Sequence, residues 1–413
     1  MTKPCLLICL IFAALRAHGD FGNYNSILIG EEAAGLGGAY TALSGDPAGG
    51  PFYNPAGLAR MDGNTLSAAV SVYNKNDTQY GELGSSADAP LRVNRGSILP
   101  IPAASGTVYT FGNFAFGLSI VFPDFDQYAG QISNTADTTS YLNLRDESLW
   151  VGGSLALNLN QKESIGLTMY YTSRTYNRSI LDETTSGGVS SLTSSEKSFS
   201  QNSLVYILGY QKQLNDQWSV GASVRLPSLP VNGRGTFFQA DISSGGGPIT
   251  PTTVTGVRAH TKIPPRVNVG VGYNRRGVWK AGADLHWYGS EEYEDFEQRQ
   301  AADPVVHESV LNASVGGEYY VRRWLALRGG LFTNFSSHPK ISETPTARAG
   351  DHLDMWGFAT NVAVFTSKAS AVTLGGYYTG GKGYSVHQVG QQLERVPKAV
   401  QIFSFLVGTS FYF

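Results

Sequence analysis

Five cations stand out among the residues whose types and spacing could do chemistry: Arg174, Arg225, Arg266, Lys280 and Arg328. Each falls on the polar side of a run in which apolar and polar residues alternate. A guanidinium stays charged, and its planar fork holds a carboxylate through two parallel hydrogen bonds. A set of such cations on one inner surface suits an anionic head group. Two other uses compete. Asp284 and Glu318 share the same polar faces and can neutralise the cations, and the cations can equally anchor a neighbouring segment. Covalent chemistry has no comparable candidates. The "GLGG" at 35–38 does not follow a strand, so it lacks the context of a dinucleotide loop. The seven His residues show no metal-ligand spacing, and Gly-x-Ser-x-Gly is absent. No enzyme, no cofactor and no metal site is expected.

The elements that must position these cations are strands. No segment offers the ~20 consecutive apolar residues of a membrane-spanning helix. Only 15% of residues are charged, while Gly (49), Tyr (22) and Phe (20) are abundant. In "IFSFLVGTSFYF" (402–413), Phe403, Phe405, Val407, Thr409, Phe411 and Phe413 share one face. In "FAFGLSIVF" (114–122) the aromatic and aliphatic residues alternate with Ala115, Gly117, Ser119 and Val121. The same period runs through 218–226, 266–274 and 279–287, with aromatics at strand ends as in a membrane girdle. Six short polar turns, near 111–113, 160–163, 214–217, 274–277, 322–323 and 367–370, separate seven longer loops. The loops are expected near 80–94, 124–138, 184–198, 240–255, 290–304, 338–351 and 381–397. This count gives an all-β, 14-stranded antiparallel transmembrane β-barrel over 64–413 with both chain ends on the periplasmic side. Only a closed barrel or a helix satisfies every backbone group in lipid. The formal net charge of −2 gives nucleic acid no basic surface.

The first residues place the barrel. Lys3, the apolar "CLLICLIFAAL" (5–15) and the small residues of "AHG" read as a secretory signal over 1–19. Cys5 and Cys9 fall inside it, so the remaining chain offers no disulfide. The expected location is the outer membrane of a Gram-negative-type bacterium, as a monomer. An acidic run, "EEYEDFEQ" (291–298), is read as a solvated loop, with divalent bridging to outer-membrane lipids as the alternative use.

Residues 20–63 precede the wall and are neither helical nor strand-like in period. Within them, "GLGGAYTALSGDPAGGPFYNPAGLARM" (35–61) carries Asn54-Pro55-Ala56-Gly57. This block resembles the N-terminal region of the FadL/TodX family of hydrophobic-compound transporters. "FAFGLSIVFPDFDQYAG" (114–130) resembles that family's third strand and the loop after it, and "IPPRVNVGVGYN" (263–274) a later Pro-led strand. Asn-Pro-Ala-Gly also occurs in PorV-type barrels, which serve protein secretion, so a scaffold or shuttle in secretion stays open beside transport. The family resemblance implies that 20–63 folds as a hatch inside the lumen. It implies an irregular third strand that opens the wall, here near Gly117 and Pro123. It also implies a fatty acid or similar molecule that enters from outside and leaves sideways. Phe413 would be read by the barrel-assembly machinery. The composition of the block suits a hatch: Gly and Ala allow close backbone packing, and Pro47, Pro51 and Pro55 stiffen backbone without a ladder partner.

Overall fold

The structure, a computed structural model, describes residues 22–81, 91–97, 101–134, 138–244, 249, 251–294, 296, 305–345, 350–389 and 392–413. The expected signal segment lies outside these residues. The strands are β1 (Thr65–Tyr80), β2 (Leu91–Ser97), β3 (Ile101–Phe111), β4 (Phe114–Asn134), β5 (Thr138–Asn158), β6 (Glu163–Ser186) and β7 (Val189–Gln213). Then come β8 (Trp218–Arg225), β9 (Leu229–Ser243), β10 (Thr252–Val257), β11 (Arg266–Arg275), β12 (Trp279–Tyr288), β13 (Glu291–Tyr293) and β14 (Val305–His307). The last five are β15 (Val310–Arg322), β16 (Leu325–Asn334), β17 (His352–Phe365), β18 (Ser370–Val389) and β19 (Gln392–Tyr412). All but β13 and β14 join one sheet. Three staves are interrupted, as β2 with β3, β8 with β9 and β10 with β11, which leaves a closed antiparallel barrel of 14 staves. Closure is made by β1 against β19, from Thr65↔Tyr412 to Tyr80↔Lys398.

Alternation decides which way each side chain points. Phe114, Phe116, Leu118 and Ile120 are exposed outward, while Ala115, Ser119 and Val121 are buried. Phe403, Phe405, Phe411 and Phe413 are likewise exposed, and Ser404, Leu406 and Ser410 buried. At the turn end, Phe111, Trp218, Trp279, Tyr319, Trp324 and Phe413 form an exposed aromatic belt, of the kind that anchors a barrel at the membrane interface.

Three expected loops turn out to be mostly strand. Segments 124–138, 184–198 and 381–397 continue the hairpins of β4 with β5, β6 with β7, and β18 with β19. The β6–β7 ladder runs unbroken to Ser186↔Val189, where Gly187 (φ 59°) and Gly188 (φ 81°) make the tight turn. At ~3.3 Å per residue, a strand of this length reaches about 80 Å, well beyond the ~25 Å apolar band. Above the membrane both faces meet water, so the apolar/polar alternation fades while the backbone ladder persists. Part of the acidic run is also not free loop. Glu291 pairs with Lys262 at 3.4 Å, and Tyr293 and Phe296 are buried; Asp295 and Glu297 lie outside the described residues.

Residues 22–61 lie inside the barrel, and Asp62 and Gly63 are exposed where the segment meets β1. Leu36, Tyr40, Leu43, Phe52, Tyr53 and Leu58, too apolar for a linker, are all buried. The segment holds two short helices, α1 (Glu32–Gly35) and α2 (Gly49–Tyr53), and a 3-10 turn over Pro55–Arg60. Asp46 joins them. Its Oδ2 accepts from the Glu32 and Ala33 amides at 2.9 and 3.1 Å, and its Oδ1 from those of Ala48 and Gly49 at 3.0 and 2.8 Å. One carboxylate thus satisfies orphan amides at the start of both helices. Asn54 secures the next corner: Oδ1 accepts from the Ala56 amide, and Nδ2 donates to the carbonyls of Thr41 and Tyr210.

The wall receives this backbone through glycines. A Cβ on Gly106 would lie 2.2 Å from the Pro47 carbonyl oxygen, on Gly221 2.1 Å from that of Thr41, and on Gly316 2.2 Å from that of Leu36. On Gly166 and Gly330 it would strike the backbone of Pro55 and Leu36 at 2.4 and 2.3 Å. These are close approaches that a larger residue forbids.

We expect Asp46→Ala to weaken hatch packing by about 1–4 kcal/mol, from two lost caps of roughly 0.5–2 kcal/mol each. Planar-bilayer recording should then show intermittent conductance above that of the unmodified chain.

Candidate functional site

Above the hatch the lumen narrows to a cavity of about 50 Å³. Phe52 of α2 and Trp150 of β5, 5.9 Å apart between ring centroids, supply apolar lining. Arg174, Arg225, Gln201 and Thr172 project into it from β6, β7 and β8, and Pro123 and Asp124 border it from β4. Tyr24 and the strap 261–264 line it as well.

The five sequence-selected cations all face inward but separate into distinct settings. Arg174 grips Asp146 with two hydrogen bonds, at 2.9 and 2.6 Å, and lines the cavity. Arg225 lines it too and is buried. It donates to the Pro264 carbonyl at 3.0 and 3.3 Å and lies 5.8 Å from the ring centroids of Trp150 and Tyr288. Among the described residues it donates to no carboxylate, and Asp124, on the same cavity, acts on it through space. Arg266 holds the hatch, donating to the Phe52 carbonyl at 2.5 Å and packing over the Phe52 ring at 4.6 Å. Lys280 also holds the hatch, 2.5 Å from Glu32 Oε1 and 3.3 Å from the Ser44 carbonyl. Arg328 pairs with Glu318 at 2.6 Å within the wall.

The acids complete this division. Asp284 Oδ2 accepts from the hatch amides of Tyr40 and Thr41, each at 2.7 Å. Glu31 of the hatch accepts from Ser410 at 2.6 Å and from Thr373. Burial raises the Glu31 carboxyl above its ordinary pKa, and Arg328 and the two hydroxyls offset this only in part.

Gly117 and Pro123 are likewise in different settings. Gly117 sits within both flanking ladders, opposite Val108 and Ser154, and makes room for Leu58 of the hatch. Pro123 lies mid-strand rather than at a loop edge. The β4–β5 register jumps between Val121↔Trp150 and Asp124↔Ser148, placing one extra residue in β4. The β3–β4 ladder runs from Phe111↔Phe114 to Ala104↔Val121, just below that bulge. Pro lacks the amide that a central strand needs.

Trp150, Gln201, Ser203 and Thr172 were missed by sequence reading. Trp150 carried a signal, as an aromatic on the inward phase of its strand. Gln201 and Ser203 share the inward phase of β7 but sit in a polar stretch where facing cannot be read from hydrophobicity.

This arrangement, a lumen filled by an N-terminal hatch in a 14-stave wall bulged at the third stave, defines a class of outer-membrane barrel. A family model described as outer membrane protein transport protein (OMPP1/FadL/TodX) matches residues 27–355, and the chain belongs to that family. Among solved structures it is similar to a FadL homologue of Pseudomonas aeruginosa, with TM-score 0.71 and 14% identity over 95% of this chain and 100% of that one. The P. putida toluene transporter TodX superposes with TM-score 0.69 and 15% identity, over 95% and 99% of the two chains. The monoaromatic hydrocarbon channel CymD gives 0.62 and 15%, over 94% and 99%. At these identities the likeness establishes fold. No curated protein sequence matches the chain.

We expect Arg266→Ala to release the Phe52 carbonyl and loosen this part of the cavity lining. Binding of a fatty acid and of its methyl ester should fall by similar factors in a fluorescence displacement titration.

Proposed function

We propose that the chain is a passive outer-membrane channel for hydrophobic molecules, with long-chain fatty acids as its principal ligands. The observation that carries the ligand class is Arg225. It is a buried guanidinium beside aromatic rings, aimed into a cavity above the hatch and donating to a carbonyl rather than to a carboxylate among the described residues, with Asp124 of the same cavity acting on it only through space. A carboxylate head group gives that fork a bidentate partner, and the alkyl chain gains roughly 0.8 kcal/mol per buried CH2. Arg174, already paired with Asp146, adds positive field at the same cavity.

The bulge supports lateral exit as part of this reading. Pro123 borders the cavity from within a strand whose ladder with β3 ends at Val121. A ligand displaced toward β4 enters the membrane there. Gly117 belongs to hatch seating in this scheme, with Asn54, Pro55, Ala56 and Gly57 forming the hatch corner. Phe413, exposed at the closing strand, is the contact offered to the assembly machinery. The chain acts as a monomer and needs no cofactor.

Proteoliposomes should accelerate uptake of a labelled fatty acid while staying impermeable to small sugars. Free sugar passage would contradict a plugged channel, and stable capture of a secretion partner without uptake would favour a shuttle. We expect Arg225→Ala to weaken binding of a fatty acid about tenfold or more while changing that of its methyl ester little, corresponding to ~1.4 kcal/mol or more. Equal losses for both would reject a carboxylate role.

A further inference from the structure

The wall is interrupted a second time, between the seventh and eighth staves. The β8–β11 ladder stops at Arg225↔Arg266. The β9–β10 ladder begins again at Gly235↔Val257. Between them, residues 226–234 of one stave face 258–265 of the other, joined by isolated hydrogen bonds. The Ser228 amide donates to the Ile263 carbonyl at 3.1 Å, the Ile263 amide to Ser228 Oγ at 2.8 Å, and the Ala259 amide to the Gly233 carbonyl at 3.3 Å. Prolines stand on both sides of the break, Pro227 and Pro230 on one stave and Pro264 and Pro265 on the other. None can donate to a ladder.

The strap 258–265 has moved inward from the wall. A Cβ on Gly233, on the same inward phase as the buried Phe237 and Gln239, would lie 2.3 Å from the Ala259 carbonyl oxygen. Gln201 of β7, a stave further round, reaches the strap and acts as a substitute strand. Its Nε2 donates to the Thr261 carbonyl at 2.7 Å and its Oε1 accepts from the Thr261 amide at 2.6 Å. Backbone without a ladder needs other hydrogen-bond partners, and here Gln201 and Ser228 supply them. Outside the break, Leu226, Leu229 and Val231 are exposed. Inside it, Ile263 and Pro264 line the cavity, and Pro264 is the residue to which Arg225 donates.

We propose that this break is a second lateral portal, through which the hydrocarbon chain of an amphiphile bound in the cavity passes into the membrane. The strap is its door and Gln201 the latch. An incoming carboxylate that draws Arg225 from the Pro264 carbonyl releases one of the strap's holds at the moment the ligand arrives. Hydrophobic residues line both sides of the door, and the isolated hydrogen bonds across it make it easier to part than a continuous ladder. The proposal rests on the channel reading above.

The test uses the full chain in proteoliposomes with Ser228→Cys and Ile263→Cys, which face each other across the break. A control pair, Ala222→Cys and Val269→Cys, sits in the continuous β8–β11 ladder. Oxidation of the first pair should slow labelled fatty-acid uptake severalfold, reversibly on reduction, while the control pair stays unaffected. Gln201→Ala, which needs no disulfide, should raise the uptake rate. Unchanged uptake on oxidising the 228/263 pair, or in Gln201→Ala, overturns the portal while leaving the channel standing. Absence of uptake by the unmodified chain rejects the channel, and the portal with it.

Discussion

A 14-stave barrel encloses more space than its own side chains fill. That surplus is the constraint on which the rest of the structure depends. The chain fills it with backbone from residues 22–61, and backbone brings amides and carbonyls that require partners once water is excluded. The wall supplies them. Gln211 and Ser219 donate to the Ala42 carbonyl, Ser223 and Asn268 to that of Tyr53, Thr168 to that of Pro51, and Asn361 to that of Glu31. Inward glycines let the hatch come close enough to use them. The polar inner face of the barrel, which elsewhere would line a water-filled pore, is here largely the hydrogen-bonding complement of the hatch.

The charged groups divide accordingly. Lys280, Arg266 and Asp284 serve the hatch, and Arg328 is committed to Glu318. Arg225 remains beside the cavity with a carbonyl and two aromatic rings for company. Its guanidinium donates to no carboxylate among the described residues, and Asp124 of the same cavity acts on it only through space, so its fork is open to an incoming anion. The cavity also sits where the wall is least continuous, beside the β4 bulge on one side and the strap 258–265 on the other. A closed barrel has no edges; interruptions of its ladder therefore reflect specific local sequence, and here prolines mark both.

Much of this was legible in the sequence because it follows from alternation. The strand count and the inward phase of all five cations needed only period and composition, while the burial of Leu36, Tyr40, Phe52 and Leu58 in a hatch rested on the family resemblance as well as on their apolar character. The upper hairpins were not legible. In "DETTSGGVSSLTSSEKSFS" both faces are polar, so a strand above the membrane reads as a loop. The partner of each cation was not legible either. Arg225 and Arg266 face each other in the β8–β11 register and look equivalent in sequence, yet one holds Phe52 of the hatch and the other Pro264 of the strap. That difference depends on where the hatch and strap meet the wall, a long-range packing result that no local pattern encodes. Pro227, Pro230, Pro264 and Pro265 stand in the sequence, but only the register shows that the two pairs oppose each other.

The central claim is that residues 22–61 occupy the lumen and close it. Single-channel recording of a barrel lacking residues 22–61 tests it most directly, with the refolded barrel verified by its resistance to detergent at room temperature. The account requires a large, steady conductance and free passage of small sugars, since the emptied lumen is lined by Ser, Thr, Asn and Gln. A folded barrel whose conductance matches that of the intact chain would contradict it.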